Sequence, residues 1–168
     1  MVTKKISLDK AKQDKLFYFV TTIVVYRESD QRCLILKRSN DDEVYPGKWA
    51  LPGGRLEWGD FDLSKPDTVS NNVLNFNHPL EKHVSVVVEE KAGVVVGNRP
   101  KYLDSVFFVR ADGAPSVLVR FAVHYVEGDV TPKEGFTDSA WVNEDEISSY
   151  DHIDGIDLDI LKTIKLFS

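Results

Sequence analysis

The sequence predicts an α+β fold in which a central mixed sheet carries helices on both faces. Three observations lead there. Short runs rich in β-branched and aromatic residues recur from residue 17 to residue 142. Two stretches, 80–93 and 156–167, carry apolar residues at helical spacing instead. Strands and helices do not alternate strictly, which argues against an all-parallel sheet and for a mixed one.

Each element has its own signal. Residues 1–15 are polar, with lysines at 4, 5, 10, 12 and 15, and form an N-terminal arm ahead of a single domain over 16–168. The run 17–26 is an unbroken buried-strand pattern, 28–31 is a turn, and 32–37 returns as the second strand of a hairpin. A polar loop over 39–47 leads to a short strand at 49–51, which runs into a turn at Pro52-Gly53-Gly54. Residues 61–79 are rich in turn formers and read as a long excursion, of the kind that is usually functional. The helix that follows ends at Gly93, a residue suited to a left-handed C-cap. Within it, His83, Val86, Val87 and Glu90 fall on one side. Val86, Val87 and Val88 are most simply core packing. Strands are expected at 94–97, 102–110, 117–126 and 140–142, with a short helix from Asn143 and an amphipathic helix at 156–167.

Composition narrows the function classes. At 168 residues the chain can bury a sizeable core without covalent staples. Its net charge of −6 disfavours nucleic-acid polymers and anionic membranes as partners, but not a phosphorylated small molecule whose charge a metal screens. One cysteine, Cys33, excludes an internal disulfide framework. No apolar run has membrane-spanning length and the lysine-rich start lacks a signal-peptide core, so a cytoplasmic location is expected.

The most informative stretch is 47–60, Gly-Lys-Trp-Ala-Leu-Pro-Gly-Gly-Arg-Leu-Glu-Trp-Gly-Asp. Four glycines, two of them adjacent, and two carboxylates directly after a strand suit a backbone that approaches a ligand closely and sets acids beside it. Together with Leu36-Lys37-Arg38-Ser39, the approach Tyr45-Pro46-Gly47-Lys48-Trp49 and the late Trp141-Val142 strand, it resembles the Nudix hydrolases. Their signature is Gly, five residues, Glu, seven residues, then Arg-Glu-hydrophobic-any-Glu-Glu-any-Gly-hydrophobic. Here Gly54 is followed after five residues by Asp60, and Glu57 holds a further common acid position. The resemblance implies a Nudix-like α/β/α sandwich.

The second half of the signature departs. Twenty-five residues separate Asp60 from the signature's helix where the pattern has seven, an insertion of 18. Anchored on Gly93, the pattern puts Val86 and Val87 in place of Arg-Glu, Glu90 on the first paired glutamate and Lys91 on the second. A shift of one residue makes Glu89 and Glu90 the pair instead.

In the family, helix acids gather Mg²⁺ or Mn²⁺, which bridges a diphosphate and activates water. The resemblance therefore implies metal binding by the Gly54 carbonyl, Glu57, Glu90 and Glu134. It implies catalysis by Glu90, Glu89, Glu134 or His83, and a substrate held by Arg38, Gly53, Gly54 and Arg55. Val87 and Lys91 weaken the metal expectation. Asp62, Asp67 and His78 of the insertion could fold over the site, and Tyr45, Trp58 or Phe136 could stack on a base. Two readings follow. One is a metal-dependent hydrolase cleaving a diphosphate linkage in a nucleoside diphosphate derivative. The other is an eroded module that binds a nucleotide or protein partner without turnover. A homodimer is compatible with either.

Overall fold

A computed structural model describes residues 5–168. The first four residues of the lysine-rich arm lie outside the described residues, and the rest of the arm forms two single 3₁₀ turns, Leu8–Lys10 and Gln13–Lys15.

The hairpin forms as the sequence predicts, from β1 (Tyr18–Arg27) and β2 (Arg32–Arg38). Its two strands touch only near the turn, pairing Tyr26 with Cys33 and Arg27 with Arg32. Beyond that point they splay, and β3 (Trp49–Ala50) joins β2 while β4 (Gly53–Leu56) joins β1. The expected turn at Pro52-Gly53-Gly54 is thus the start of a strand. Gly53 pairs with Thr22 and Gly54 with Thr21. A Cβ on Gly53 would lie 2.4 Å from the Thr21 carbonyl oxygen, so only glycine lets β4 approach this closely.

The excursion contains a small hairpin, β5 (Thr68–Ser70) with β6 (Val73–Asn75), turned by Asn71 and Asn72 at positive φ. Phe61 and Phe76 pack ring to ring at its base, 5.4 Å between centroids. Helix α1 (Pro79–Ala92) follows, starting on Pro79 and stopped by Gly93 at φ 73°. Then come β7 (Val95–Val96), β8 (Lys101–Val109), β9 (Pro115–Glu127), β10 (Phe136–Val142) and α2 (Ile156–Phe167). The helix expected from Asn143 is instead a side-chain-capped turn, Asn143 Oδ1 accepting from the Asp145 and Glu146 amides, followed by one 3₁₀ turn.

The large sheet runs β10-β2-β1-β9-β7, with β3, β4 and β8 on its flanks. Its mixed character comes from β1 and β9, which pair in parallel from Tyr18 with Ser116 to Tyr26 with His124. The unbroken apolar runs of β1 and β2 are explained by burial on both faces. Ile23, Val25, Leu34 and Leu36 pack under α1 with Val84, Val87 and Val88. Val24, Tyr26, Cys33 and Ile35 pack under α2 with Ile156 and Ile160. Two helices thus flank a mixed sheet, the predicted α+β sandwich. Cys33 lies wholly inside, and burial pushes its thiol up to about 12.

Candidate functional site

The splaying of β1 from β2 opens the sheet, and the chemistry-bearing residues gather on either side of β4. On the α1 side, a cleft of about 290 Å³ lies between α1, β4 and the base of the β5–β6 excursion. His83, Val86, Val87 and Glu90 all line it, as helical spacing predicts, joined by Asp60 and Asp62 and by Lys65 and Lys82. Val87 and Val88 are core residues, but Val86 is exposed in this cleft, contrary to the expectation of core packing for all three.

His83 is the best defined of these groups. It is 7% exposed, and its Nε2 lies 2.9 Å from Thr21 Oγ1. The Thr21 hydroxyl donates its one proton to the Gly54 carbonyl at 3.2 Å, so His83 must be the donor to Thr21. Burial pushes the His83 pKa down, with the Asp60 charge, the Gly54 carbonyl and the Glu90 charge pulling the other way. Burial thus favours the neutral imidazole, which still carries the Nε2 proton given to Thr21.

The four groups that the signature assigns to a metal do not converge here. The Gly54 carbonyl accepts from Thr21. Glu57 opens on a different groove, with Phe17, Tyr18 and Trp58, and its amide is capped by Asp60 Oδ2 at 2.8 Å. Glu90 stands on the α1 cleft. Glu134 is exposed in the loop that closes over the C-terminal end of α1, where the Lys133 amide donates to the Lys91 carbonyl at 3.0 Å and Lys133 Nζ to the Glu89 carbonyl at 3.3 Å. Val87 fills the space beside Gly54 where a carboxylate was expected, its Cγ2 3.1 Å from a Cβ built on that glycine. Among the described residues, no three His, Cys, Asp or Glu side chains are grouped so as to hold a metal ion. The donor set does not fit a Mg²⁺ or Mn²⁺ centre.

The other side of β4 is different. All four residues expected at the substrate, Arg38, Gly53, Gly54 and Arg55, line one cavity of about 330 Å³ that reaches to α2. Phe136 lines it too, whereas Tyr45 is exposed and Trp58 lies on the separate groove. Of the insertion's other two groups, Asp67 pairs with Lys82 at 3.2 Å and His78 lies beside Glu81, 3.6 Å away.

The cavity also holds residues that the motif did not point to. Asp159 of α2 is 5% exposed and meets Arg120 Nε of β9 at 3.1 Å. Burial pushes the Asp159 carboxyl up despite that guanidinium. Arg120 is held from its other side by Asp104 at 2.8 Å, which Lys162 also contacts. Two polar atoms of the lining residues, Thr22 Oγ1 and Arg38 Nε, are buried with no hydrogen-bond partner. Buried polar atoms without partners are uncommon. The signal for Arg120 and Asp159 was in the sequence: a lone arginine within Leu118-Val119-Arg120-Phe121-Ala122, and an acid beside Ile160 on the apolar side of the last helix.

No protein-family model matches the sequence, and no curated protein matches it. Solved structures match along most of the chain. The Nudix domain of NrtR from Shewanella oneidensis, crystallised with ADP-ribose, superposes with a TM-score of 0.65 at 20% identity, over 96% of each chain. A MutT protein from Methanosarcina mazei gives 0.60 at 20% identity, over 92% of this chain and 97% of its own. An Ap4A hydrolase from C. elegans gives 0.59 at 13% identity, over 89% and 96%. At such identities the likeness speaks for architecture. With its two helices flanking a mixed sheet, this chain has the Nudix fold.

Proposed function

We propose that this protein is a Nudix-fold binding module that takes a nucleoside diphosphate derivative into the α2-side cavity without metal-dependent turnover. The observation that carries this reading is the cavity itself. Arg38, Gly53, Gly54 and Arg55 share it with a buried Arg120–Asp159 pair and two unpartnered polar atoms. Guanidinium groups suit a diphosphate through charge-assisted hydrogen bonds. Asp159 offers a directional polar contact to a sugar or base, and Phe136 offers an apolar wall. The solved Nudix domain that holds ADP-ribose supplies a concrete ligand of this class. The scattering of Glu57, Glu90 and Glu134 argues against the hydrolase.

Titration calorimetry with ADP-ribose, with and without EDTA, tests the reading. We expect binding that EDTA leaves unchanged, and Arg38→Ala weakening it by about tenfold or more, the scale of a lost charge-assisted bond. No heat from ADP-ribose or from common nucleoside diphosphates at millimolar concentration sinks it.

The hydrolase remains the second reading, favoured by one observation: Asp60 and Glu90 share a cleft with a buried, neutral His83. Metal-dependent release of a mononucleotide from ADP-ribose, abolished by Glu90→Gln, would transfer the function to that cleft.

A further inference from the structure

The α2-side cavity is electrically lopsided, and the strand pairing shows how. Gly53 of β4 pairs with Thr22 of β1, Thr22 with Arg120 of β9, and Arg120 with Asp104 of β8. One row therefore leads from the glycines to the acids, with β1 between them. Neighbouring strands lie ~4.8 Å apart, so the Gly53 and Arg120 backbones stand ~10 Å from each other. Asp104 holds the Arg120 guanidinium from the side away from β4, its Oδ1 accepting from Nη1 at 2.8 Å.

The three arginines of the cavity are not equivalent. Arg120 lies between two carboxylates, Asp104 and Asp159, and Lys162 contacts Asp104 in turn. Two cations and two acids balance there, which leaves that end no charge to spare for a phosphate. Arg38 meets one carboxylate, Asp42 at 2.6 Å, and Arg55 rests over the Tyr18 ring, 4.6 Å from its centroid. The β2–β4 side thus keeps a net positive charge, and a diphosphate is drawn to Arg38 and Arg55. Asp159 is the under-satisfied member of the balanced end. It is 5% exposed, and the only side-chain partner of its carboxylate among the described residues is Arg120 Nε, at 3.1 Å. A carboxylate offers about four acceptor sites and no donor. The sites left over favour a neutral hydrogen-bond donor and repel a phosphate.

Resting on the binding of a nucleoside diphosphate derivative in this cavity, we propose that Asp159 is its specificity-determining residue and accepts hydrogen bonds from the hydroxyls of the nucleoside ribose. The ligand then lies across β1, its diphosphate on the β4 side and its sugar against α2. The ribose hydroxyls are the first donors met beyond the phosphates of such a ligand, and the base follows only after them. An acid in this place also rejects a ribose that carries a 2′-phosphate, which an unpaired arginine would accommodate. Arg120 does not reverse that choice, because Asp104 and Asp159 already occupy it.

Titration calorimetry of the full chain tests the assignment. Wild type should bind 2′,3′-dideoxy-ADP about tenfold or more weakly than ADP, the scale of a lost charge-assisted bond. It should bind 2′-phospho-ADP-ribose about tenfold or more weakly than ADP-ribose. Asp159→Asn keeps the side-chain shape, and Asp104 still neutralises Arg120 in it. This variant should weaken ADP much more than dideoxy-ADP, so that the ratio between them falls to about threefold or less. A merely structural part for Asp159 would weaken both ligands equally and leave the ratio unchanged, and that result overturns the assignment. So does a wild type that binds ADP and dideoxy-ADP alike, that binds ADP-ribose but not ADP, or that takes 2′-phospho-ADP-ribose as tightly as ADP-ribose. In each of these cases the binding reading stands. If neither ADP nor ADP-ribose binds, both fall together. Melting curves show whether Asp159→Asn folds, and the two wild-type comparisons decide the matter if it does not.

Discussion

His83 shows how much one residue can carry in this fold. It joins α1 to β1 through Thr21 and fixes the Gly54 carbonyl at second hand. Its pKa is lowered in the folded protein, so below the ordinary value of ~6.5 the unfolded chain binds more protons than the folded one. Stability from this group is therefore complete above that value and falls as the pH drops through it towards the folded pKa. Urea midpoints measured from pH 8 to pH 5 should decline more steeply for wild type than for His83→Gln, which keeps a donor but cannot titrate. Coincident slopes would mean that His83 is not held neutral. Val87 gives a second prediction. It is 5% exposed and packs on Gly54. Val87→Glu, which restores the signature residue, would bury an unpaired carboxylate and is expected to cost about 3 kcal/mol in urea unfolding. Recovering the motif letter does not recover the metal site, because the space beside Gly54 is already filled.

The elements differ in how plainly the sequence announced them. The β1–β2 hairpin and both helices were legible because their patterns are long and their stops, such as Gly93, have a local cause. β4 was not legible. Pro52-Gly53-Gly54 reads as a turn, and only the pairing with β1 shows that glycine is there for close approach of one strand to another. Gly53→Ala should therefore cost about 2 kcal/mol or more, since a methyl 2.4 Å from the Thr21 carbonyl must push β4 away. Gly59→Ala is the control, as a Cβ there meets nothing within 4 Å. Equal melting temperatures for the two variants would contradict this account. The β5–β6 hairpin was hidden for a related reason: its strands are three residues each, too short for periodicity to speak. In the site, the motif led to the four residues around β4, but the buried Arg120–Asp159 pair joins β9 to α2 and so belongs to tertiary structure.

Over the whole molecule, the α2-side cavity brings β1, β2, β4, β9 and α2 to one place. A ligand seated there holds these elements together only in the folded state. Its binding free energy thus adds to global stability, by about 2.7 kcal/mol at a hundredfold excess over Kd. Saturating ADP-ribose should raise the melting temperature of wild type and move that of Arg38→Ala much less at the same concentration. If both shift equally, the ligand binds elsewhere.

The parallel pairing of β1 with β9 has a consequence in time as well. Tyr18 meets Ser116, 98 residues further along the chain, and α1 and the seven strands β2 to β8 lie in the loop that this contact closes. The central ladder cannot form early from neighbours in sequence. Refolding should be slow, on the order of milliseconds to seconds. Until β9 docks on β1, the apolar Ser105–Val109 run has an unanchored partner strand beside it, and the β8–β9 hairpin is open on two edges instead of one. Stopped-flow refolding followed by tryptophan fluorescence should therefore lose yield as protein concentration rises, and Phe107→Lys should restore it.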